Sequence, residues 1–360
     1  MAKSFKTIKK ANLEEPRSGK GAKSATIQNV VQRPKPHVGE MIVYGVLILL
    51  LMAGTYWRNR VWNSEVGLWT DCVKKSPKKD RPHHNLGFSF FKQGKCDEAT
   101  NQFNQALRIN PNYAEAHNNL GNVFSNQGKY QEATDQYNQA LRINPNYTEA
   151  HYNLGNVFFS QGKYQEASNQ FNEALRINPN SVEAHNNLGL SFFNQGKYQE
   201  ATNQYSQALR INPNYAEAHY NLGDVFFNQG KYQEATNQYN QALRINPNYA
   251  EAHNNLGFSF FNQGKYREAM NQFNEALRID PNSAGAHNNL GNVFLKQGKY
   301  HEATNQYNQA LRINPNYADV HYNLGSAYLM MGNRGLALKE YEILKTISPS
   351  LASDLYQKMK

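Results

Sequence analysis

Asparagine returns at one position every 34 residues along most of this 360-residue chain. The primary amide of asparagine offers two N–H donors and one carbonyl acceptor, which complement the C=O and N–H groups of a peptide bond. A row of such amides could hold an extended main chain whatever its side chains, so the chemistry that this row predicts is recognition. The eight residues, which we call the asparagine ladder, are Asn85, Asn119, Asn153, Asn187, Asn221, Asn255, Asn289 and Asn323.

Two positions beside the ladder vary along the chain and would set the specificity of such a surface, because aromatic residues among polar ones are typical of binding interfaces. The first variable position holds His84, Asn118, Tyr152, Asn186, Tyr220, Asn254, Asn288 and Tyr322. The second holds Phe88, Asn122, Asn156, Leu190, Asp224, Phe258, Asn292 and Ser326. We predict that Tyr152, Tyr220, Asn122, Asn156 and Asp224 contact a ligand together with the ladder. Packing between repeats is the alternative for the variable positions, and a solvated polar face copied by duplication is the alternative for the ladder.

The 34-residue period predicts stacked helical units rather than one globular core. In residues 114–147, apolar residues at helical spacing predict two helices. Gly128 stands between them, where a helix end favours a residue that tolerates positive φ. Pro145 closes the unit, because the residue before a proline disfavours the helical region. Asn146, with Glu149 three residues later, is predicted to cap the next helix.

This unit resembles the tetratricopeptide repeat, and the resemblance covers roughly residues 80–351. The residues of the second unit that match the family are Leu120, Gly121, Phe124, Gly128, Ala133, Tyr137, Ala140 and Pro145. Histidine replaces the usual tryptophan of the first helix in every unit, at His83, His117, His151, His185, His219, His253, His287 and His321. The family implies an all-α fold, a right-handed superhelical α-solenoid of eight repeats whose first helices line a concave groove for protein ligands.

The ladder resembles in particular the tetratricopeptide superhelix of O-linked N-acetylglucosamine transferase. That protein carries asparagine at the same position, where the resemblance implies that it holds peptide backbone. An extended peptide rises about 3.3 Å per residue, and packed helices lie about 10 Å apart. Each unit would then offer one amide clamp for about three residues of a bound peptide.

The formal net charge of +10 comes from the N-terminal part of the chain. Residues 1–82 hold 16 Lys and Arg against six Asp and Glu, which leaves 22 of each sign in residues 83–360. The repeats are therefore neutral in sum. Because binding of DNA or RNA requires a basic stripe along one face, we predict no nucleic-acid partner.

No phosphate-binding glycine loop, nucleophile elbow or metalloprotease motif occurs in the chain, so we predict neither an enzyme nor a cofactor. The recurring histidines do not predict a metal site, because packed helices would separate neighbours by about 10 Å and zinc needs ligands at about 2.1 Å. His83 and His84 form a local pair without an evident third ligand. Cys72 and Cys96 are too few for a disulfide framework and are predicted to be unpaired packing residues.

Residues 41–57 form an apolar stretch of 17 residues without a charge, at the short end of the roughly 17–25 residues that span a membrane. Tyr44, Tyr56 and Trp57 lie toward its ends, as interfacial aromatics do. We predict a membrane span, with a cleaved signal peptide and a buried core helix as alternatives. Residues 1–37 carry nine Lys and Arg against two Glu, which favours a cytoplasmic N-terminus and extracytoplasmic repeats.

The junction at residues 57–87 resembles that of polytopic membrane proteins that end in tetratricopeptide repeats, some of which are glycosyltransferase-like. Pro77 lies 34 residues before Pro111, so a degenerate half-repeat precedes the array in register. The predicted segments are a basic disordered tail (1–37), a transmembrane helix (38–57), the half-repeat (58–79), units 1 to 8 (80–113, 114–147, 148–181, 182–215, 216–249, 250–283, 284–317 and 318–351) and a C-terminal cap (352–360).

These features predict a membrane-anchored scaffold or adaptor that binds proteins or extended peptides in the concave groove. The membrane would be engaged through residues 41–57. The first alternative is a non-catalytic binding subunit of a membrane or O-linked glycosyltransferase system whose catalytic chain is separate. The second alternative is a structural role through self-association of the arrays.

Overall fold

The computed structural model describes residues 37–360, and this range contains helices and no strand. The predicted basic tail, residues 1–37, lies outside the described residues except for its last residue. The chain divides after Val61 into two parts, which are described here one after the other.

The first part contains one described helix, α1 (Val38–Val61), of 24 residues. Every residue of this helix is exposed, and its most apolar window of 18 residues has a mean hydropathy of 2.0. A helix of this length extends about 36 Å, whereas the hydrocarbon core of a bilayer is about 30 Å thick. By length and composition, α1 can therefore cross a membrane, although a signal sequence has the same properties.

The second part, from Trp62 onward, consists of helical hairpins in which a first helix packs against a second one. The first helices are α3 (Asp80–Lys92), α5 (Ala114–Asn126), α7 (Thr148–Ser160), α9 (Val182–Asn194), α11 (Ala216–Asn228), α13 (Ala250–Asn262), α15 (Ala284–Lys296) and α17 (Ala318–Met330). The second helices are α4 (Cys96–Ile109), α6 (Tyr130–Ile143), α8 (Tyr164–Ile177), α10 (Tyr198–Ile211), α12 (Tyr232–Ile245), α14 (Tyr266–Ile279), α16 (Tyr300–Ile313) and α18 (Arg334–Ile347). This arrangement confirms the predicted α-solenoid of eight helix pairs.

Two further helices flank the hairpins. The helix α2 (Glu65–Lys75) packs against α3, and α19 (Pro349–Met359) packs against α17 and α18. The packing of α19 buries Ala352, Leu355 and Met359, so it covers the apolar face of the last hairpin. The domain boundaries drawn from the sequence stay predictions.

A glycine in the left-handed region joins the two helices of every hairpin. The φ angle lies between 72° and 75° in Gly94, Gly128, Gly162, Gly196, Gly230, Gly264, Gly298 and Gly332. Residues with a side chain rarely adopt this conformation, whereas glycine adopts it without a steric cost. The prediction for Gly128 is therefore confirmed, and it holds for the whole series.

A second glycine lets the two helices of a hairpin approach each other closely. A Cβ atom added to Gly121 would lie 2.7 Å from the ring of Tyr137, and one added to Gly223 would lie 2.5 Å from the ring of Tyr239. Both rings are completely buried or nearly so. The ring of the second helix thus packs against the bare backbone of the first, and no other residue type leaves the required space.

The predicted capping box of Asn146 and Glu149 is wrong. Helix α7 begins one residue later than the box requires, so Tyr147 occupies the N-cap and provides no side-chain cap. Asn146 lies in the turn before it. In the two units where serine replaces this tyrosine, Ser181 and Ser283 accept a hydrogen bond from the backbone N–H three residues further on.

The recurring histidines link each first helix to its surroundings. In unit 2, His117 Nδ1 lies 2.7 Å from Gln136 Oε1, and Nε2 lies 3.1 Å from the carbonyl oxygen of Pro111. The side chain therefore joins the second helix of its own unit to the loop before the unit. The glutamine contact recurs in units 1 to 7.

Unit 8 departs from this pattern, because Glu340 takes the place of the glutamine. Its carboxylate lies 2.6 Å from His321 Nδ1, and the carbonyl of Pro315 lies 2.9 Å from Nε2. The hydrogen bond with Glu340 raises the pKa of His321 above its ordinary value, although burial opposes the shift. The charged imidazolium, which donates through both nitrogens, is therefore favoured here.

We expect Gly223→Ala to destabilise the hairpin of α11 and α12 by about 1–3 kcal/mol, since a methyl group must displace the Tyr239 ring. Hydrogen exchange of these two helices in the full chain measures the effect. Gly285→Ala is the control, because no atom lies within 4 Å of a Cβ at that helical position. The control should stabilise its helix by roughly 0.5–1 kcal/mol. Equal destabilisation by both substitutions would contradict the ring contact as the cause.

We expect the stability of helices α17 to α19 to fall as the pH rises above the ordinary histidine pKa of about 6.5. The folded-state pKa of His321 is raised above the unfolded value of about 6.5. The contribution of the His321–Glu340 pair is therefore complete below the unfolded pKa and is lost as the pH rises through the folded pKa. Glu340→Gln restores the partner found in units 1 to 7. This variant should remove the pH dependence and cost about 1 kcal/mol near pH 6, the difference between a charge-assisted and a neutral hydrogen bond. Hydrogen exchange measures both chains, and the same pH dependence in each would refute the assignment.

Candidate functional site

The first helices line the inner side of the array. First helices of consecutive units contact one another, whereas none of the described second helices contacts the second helix of the next unit. A stack of hairpins curves toward the layer in which the helices are closer together. The concave side is therefore formed by α3, α5, α7, α9, α11, α13, α15 and α17.

The asparagine ladder joins consecutive units along this inner side. All eight side chains are half-buried, and from unit 2 onward each donates a hydrogen bond through Nδ2 to the first variable position of the preceding unit. The donor and acceptor atoms are 2.9–3.1 Å apart in the pairs Asn119–His84, Asn153–Asn118, Asn187–Tyr152, Asn221–Asn186, Asn255–Tyr220, Asn289–Asn254 and Asn323–Asn288. The structure thus brings the ladder and the first variable position into one network. Each bond contributes about 1 kcal/mol to the contact between units.

The second variable position, which we call the groove row, belongs to the same network. In three units the ladder amide uses its other N–H to reach the groove row of the preceding unit, at distances of 2.9–3.0 Å. These pairs are Asn153–Asn122, Asn187–Asn156 and Asn255–Asp224. Both donors of these three ladder residues are therefore occupied. The Oδ1 atom of Asn153, in contrast, accepts no hydrogen bond from the described residues.

Tyrosine hydroxyls of the second helices fix the orientation of the groove row from behind. Tyr137 donates to Asn122 Oδ1 and Tyr307 donates to Asn292 Oδ1, each at 2.7 Å. These carbonyl oxygens point toward the second helix, away from the groove. The Nδ2 groups of Asn122 and Asn292 are therefore left without a partner among the described residues. The groove row therefore presents N–H donors at these units, and Asn156 does the same in unit 3.

Asp224 replaces asparagine in the groove row of unit 5. Its Oδ1 accepts from Tyr239 at 2.6 Å and from Asn255 at 2.9 Å. A carboxylate can only accept, so these partners must present an O–H and an N–H, which is the orientation found in the other units. Burial raises the pKa of the Asp224 carboxyl above its ordinary value, and the hydrogen bonds with Tyr239, Asn255 and Tyr220 oppose this shift.

Unit 4 lacks a polar residue in the groove row. Leu190 stands there, and the hydroxyl of the fully buried Tyr205 behind it has no hydrogen-bond partner within residues 37–360. A buried hydroxyl without a partner costs about 1–3 kcal/mol. The groove row of unit 4 is therefore apolar, and Phe88 and Phe258 make units 1 and 6 apolar as well.

A cavity of about 380 Å³ opens between α5 and α7 on the inner side. Polar and aromatic side chains line it, and they include two residues of the groove row and one of the ladder. The lining residues are Phe91, Asn122, Ser125, Asn126, Tyr130, Tyr137, Asn153, Asn156 and Ser160. Asn122 and Asn156, whose Nδ2 groups have no partner among the described residues, thus line the same cavity as Asn153, whose Oδ1 has none there either.

Sequence reasoning missed a row of acidic residues in the first turns of the inner helices. The row consists of Glu115, Glu149, Glu183, Glu217, Glu251 and Asp319, all exposed and without an ion pair among the described residues. On α11, Glu217, Tyr220 and Asp224 follow at intervals of three and four residues and so share one face. The neutral sum of the repeats concealed this row, because exposed arginines of the second helices balance it. They are Arg108, Arg142, Arg176, Arg210, Arg244, Arg278 and Arg312.

Helix α19 closes the ladder at unit 8. Lys358 Nζ donates to the groove-row residue Ser326 at 3.2 Å and lies 4.5 Å from the ring centre of Tyr322. In the units before it, a ladder amide of the following unit contacts the first variable position, and in three of them it also contacts the groove row. A lysine of α19 therefore takes the place of a ninth ladder amide.

Comparison with known proteins relates this array to repeat proteins of several kinds. The chain is 31% identical over 67 residues to Protein O-mannosyl-transferase F38B6.6 of Caenorhabditis elegans, a match that covers 19% of this chain and 10% of that protein. The chain thus matches only about a tenth of the length of this curated relative. That protein's activity is accordingly no property established for this chain.

Solved structures share the fold. A tetratricopeptide repeat protein from Parabacteroides merdae aligns with a TM-score of 0.55 and 21% identity, over 73% of this chain and 98% of that one. One chain of the APC/C hetero-tetramer Cut9–Hcn1 aligns with a TM-score of 0.57 and 21% identity, over 80% of this chain and 58% of that one. At these identities the likeness concerns the fold alone.

Family models assign the repeats. The model described as TPR repeat matches residues 87–128, and the one described as Tetratricopeptide repeat matches residues 294–357. A third model, described as Cilia and flagella-associated protein 70 C-terminal domain, matches residues 113–323, which is more than half of the chain. The chain therefore belongs to the family of the cilia and flagella-associated protein 70 C-terminal domain, a family of tetratricopeptide repeats.

Proposed function

We propose that this chain is a membrane-anchored scaffold or adaptor that binds other proteins through an extended peptide segment held in its concave groove. Tetratricopeptide repeats form protein-binding scaffolds with an extended concave surface, which supports the general role. The observation that carries the specific proposal is the set of unpartnered amide groups in the cavity between α5 and α7. These groups are Nδ2 of Asn122 and Asn156 and Oδ1 of Asn153.

The amide pairing that we propose differs from the one that the sequence predicts. The sequence assigns both a donor and an acceptor to each ladder asparagine. In Asn153, however, both N–H groups already donate to unit 2. A peptide group would therefore receive its hydrogen bond from Asn122 Nδ2 and donate its own to Asn153 Oδ1. We call this pair of side chains the composite clamp. Because Asn122 and Asn153 are already hydrogen-bonded to each other, the composite clamp loses little conformational freedom when a peptide binds.

The membrane anchor of the proposal is α1, with the N-terminus in the cytoplasm and the repeats outside it. The length and apolar composition of α1 support a span. The excess of basic residues before α1 supports the orientation through the positive-inside rule. The chain would act as a binder without catalytic chemistry of its own.

A second candidate function is that of a non-catalytic binding subunit in a glycosyltransferase system. The match to 67 residues of an O-mannosyl-transferase favours it, as does the resemblance of the junction at residues 57–87 to polytopic repeat proteins. Purification of the full chain in mild detergent separates the candidates. One stoichiometric polytopic enzyme supports the subunit, several soluble proteins support the scaffold, and concentration-dependent mass without a partner supports self-association.

We expect the double variant Asn122→Asp and Asn156→Asp to bind peptides about tenfold more weakly or worse. Each substitution keeps the acceptor oxygen that faces the second helix, but it replaces the N–H donor that faces the groove by an oxygen. Loss of one good hydrogen bond corresponds to roughly tenfold in affinity. The probes are peptides selected from a random library of 24 residues on the full chain in lipid nanodiscs.

The matched control for this variant is Asn104→Asp with Asn172→Asp. Both asparagines are exposed on second helices, so the control makes the same change of charge away from the groove. Unchanged affinity in the groove variant, or an equal loss in the control, would show that the composite clamp does not hold the peptide.

We expect protease added outside intact cells or spheroplasts to cleave the repeats, because the proposed orientation places them there. As a control for the span, Ile48→Lys with Leu51→Lys should release the chain from the membrane fraction. Each lysine at the centre of a span costs about 2.5–3.5 kcal/mol. Protection of the repeats until lysis would place them in the cytoplasm and reverse the proposed orientation.

A further inference from the structure

The groove row changes its chemical character at unit 5. Asn122, Asn156 and Asn292 present N–H donors, whereas Asp224 is the one charged residue of the row. Tyr239 and Asn255 both donate to Oδ1 of Asp224, and the Tyr220 hydroxyl also interacts with the carboxylate. These three donors are neutral, so they hold the side chain in place without balancing its charge.

The carboxylate of Asp224 has no cationic partner. No ion pair with Asp224 occurs among the described residues. A half-buried carboxylate without a counter-charge is unfavourable. A cation delivered by a ligand would remove this cost.

The groove row on either side of Asp224 is apolar. Leu190 precedes it by one unit and Phe258 follows it by one unit, and both are half-buried. The ring of Phe258 stacks between those of Phe227 at 5.2 Å and Phe261 at 6.2 Å, measured between ring centres. Units 4 and 6 therefore offer apolar surfaces to a ligand whose charge lies at unit 5.

The charges of the inner helices favour a basic ligand in the middle of the groove. Helices α9, α11 and α13 carry Glu183, Glu217, Asp224 and Glu251 but no Lys or Arg. Among the first helices, basic residues occur only in α3 and α15. The potential in the middle of the groove is thus negative, and it attracts cations toward Asp224.

We propose that units 4 to 6 form a specificity site for a peptide segment with one Lys or Arg side chain that pairs with Asp224. Apolar side chains on both sides of that residue contact Leu190 and Phe258. Units about 10 Å apart and an extended rise of about 3.3 Å per residue place these apolar residues three positions before and after the basic one. The inference rests on the proposed function, because it names the peptide that the groove holds.

Selection from the random 24-residue library on the full chain in nanodiscs tests this site. The expected result is enrichment of a basic residue with apolar residues three positions away on both sides. Asp224→Asn keeps the inward acceptor and removes the charge, so the selected peptides should bind it at least about tenfold more weakly. Asp135→Asn is the matched control, since Asp135 is exposed on the second helix α6.

A second variant tests the site by a gained preference, independently of the loss of peptide affinity expected for Asp224→Asn. Asn156→Asp places a carboxylate in the groove row of unit 3, four residues after Tyr152, which is the spacing of Tyr220 and Asp224 in unit 5. Peptides selected on this variant should gain a second basic residue about six positions from the first, two units away.

The outcomes separate the inference from the function on which it rests. In one outcome, the selected peptides lose affinity for the double variant at Asn122 and Asn156 but contain no preferred basic residue. This outcome overturns the inference and leaves the proposed function standing. An equal loss with Asp135→Asn assigns the effect to net charge and also overturns it. A library that enriches no peptide at all overturns both proposals.

Discussion

The close contact between a glycine of the first helix and a buried ring of the second is the constraint on which the hairpins of units 1 to 7 depend. A Cβ atom at Gly121, Gly155 or Gly223 would lie 2.5–2.7 Å from the ring. Because the ring packs on bare backbone, the two helices of a unit meet at one separation, and each ladder amide is placed within reach of the preceding unit. A hydrogen bond tolerates only a few tenths of an ångström in distance, so the amide network would not form along hairpins of unequal width.

The network gives the inner face two roles that use different atoms. The N–H groups of the ladder join consecutive units, while the groove row and the ladder carbonyl of Asn153 keep free capacity toward the groove. Tyr137, Tyr239 and Tyr307 support this division from behind, since each hydroxyl directs one oxygen of the groove row inward. Phenylalanine stands behind the apolar row residues Phe88 and Phe258, where no hydroxyl is needed. Two units depart from this pattern: Phe171 stands behind the polar Asn156, and Tyr205 stands behind Leu190, where its hydroxyl has no hydrogen-bond partner among the described residues.

Features that depend on residues within one unit were predictable from the sequence, because the 34-residue period displays them repeatedly. The helix pairs, the left-handed turn glycine and the repeat family are of this kind. The cap at Asn146 failed because the turn holds one residue more than a capping box allows. Contacts between units, such as Asn153 with Asn122, depend on the angle between hairpins, which periodicity does not contain. The rows of opposite charge are present in the sequence, but they cancel in the net charge of the array.

The uniform join between units bears on how the array changes over evolutionary time. In units 1 to 7, the residue at the first variable position, whether histidine, asparagine or tyrosine, accepts the ladder amide of the next unit. At unit 8, Lys358 of α19 contacts Ser326 and Tyr322 instead, and these contacts do not depend on the number of units before them. Unequal recombination between the near-identical repeats would therefore leave the ladder amide at the new junction with an acceptor. The number of repeat units can therefore change at little cost to folding. The length of peptide that the groove can hold changes with it.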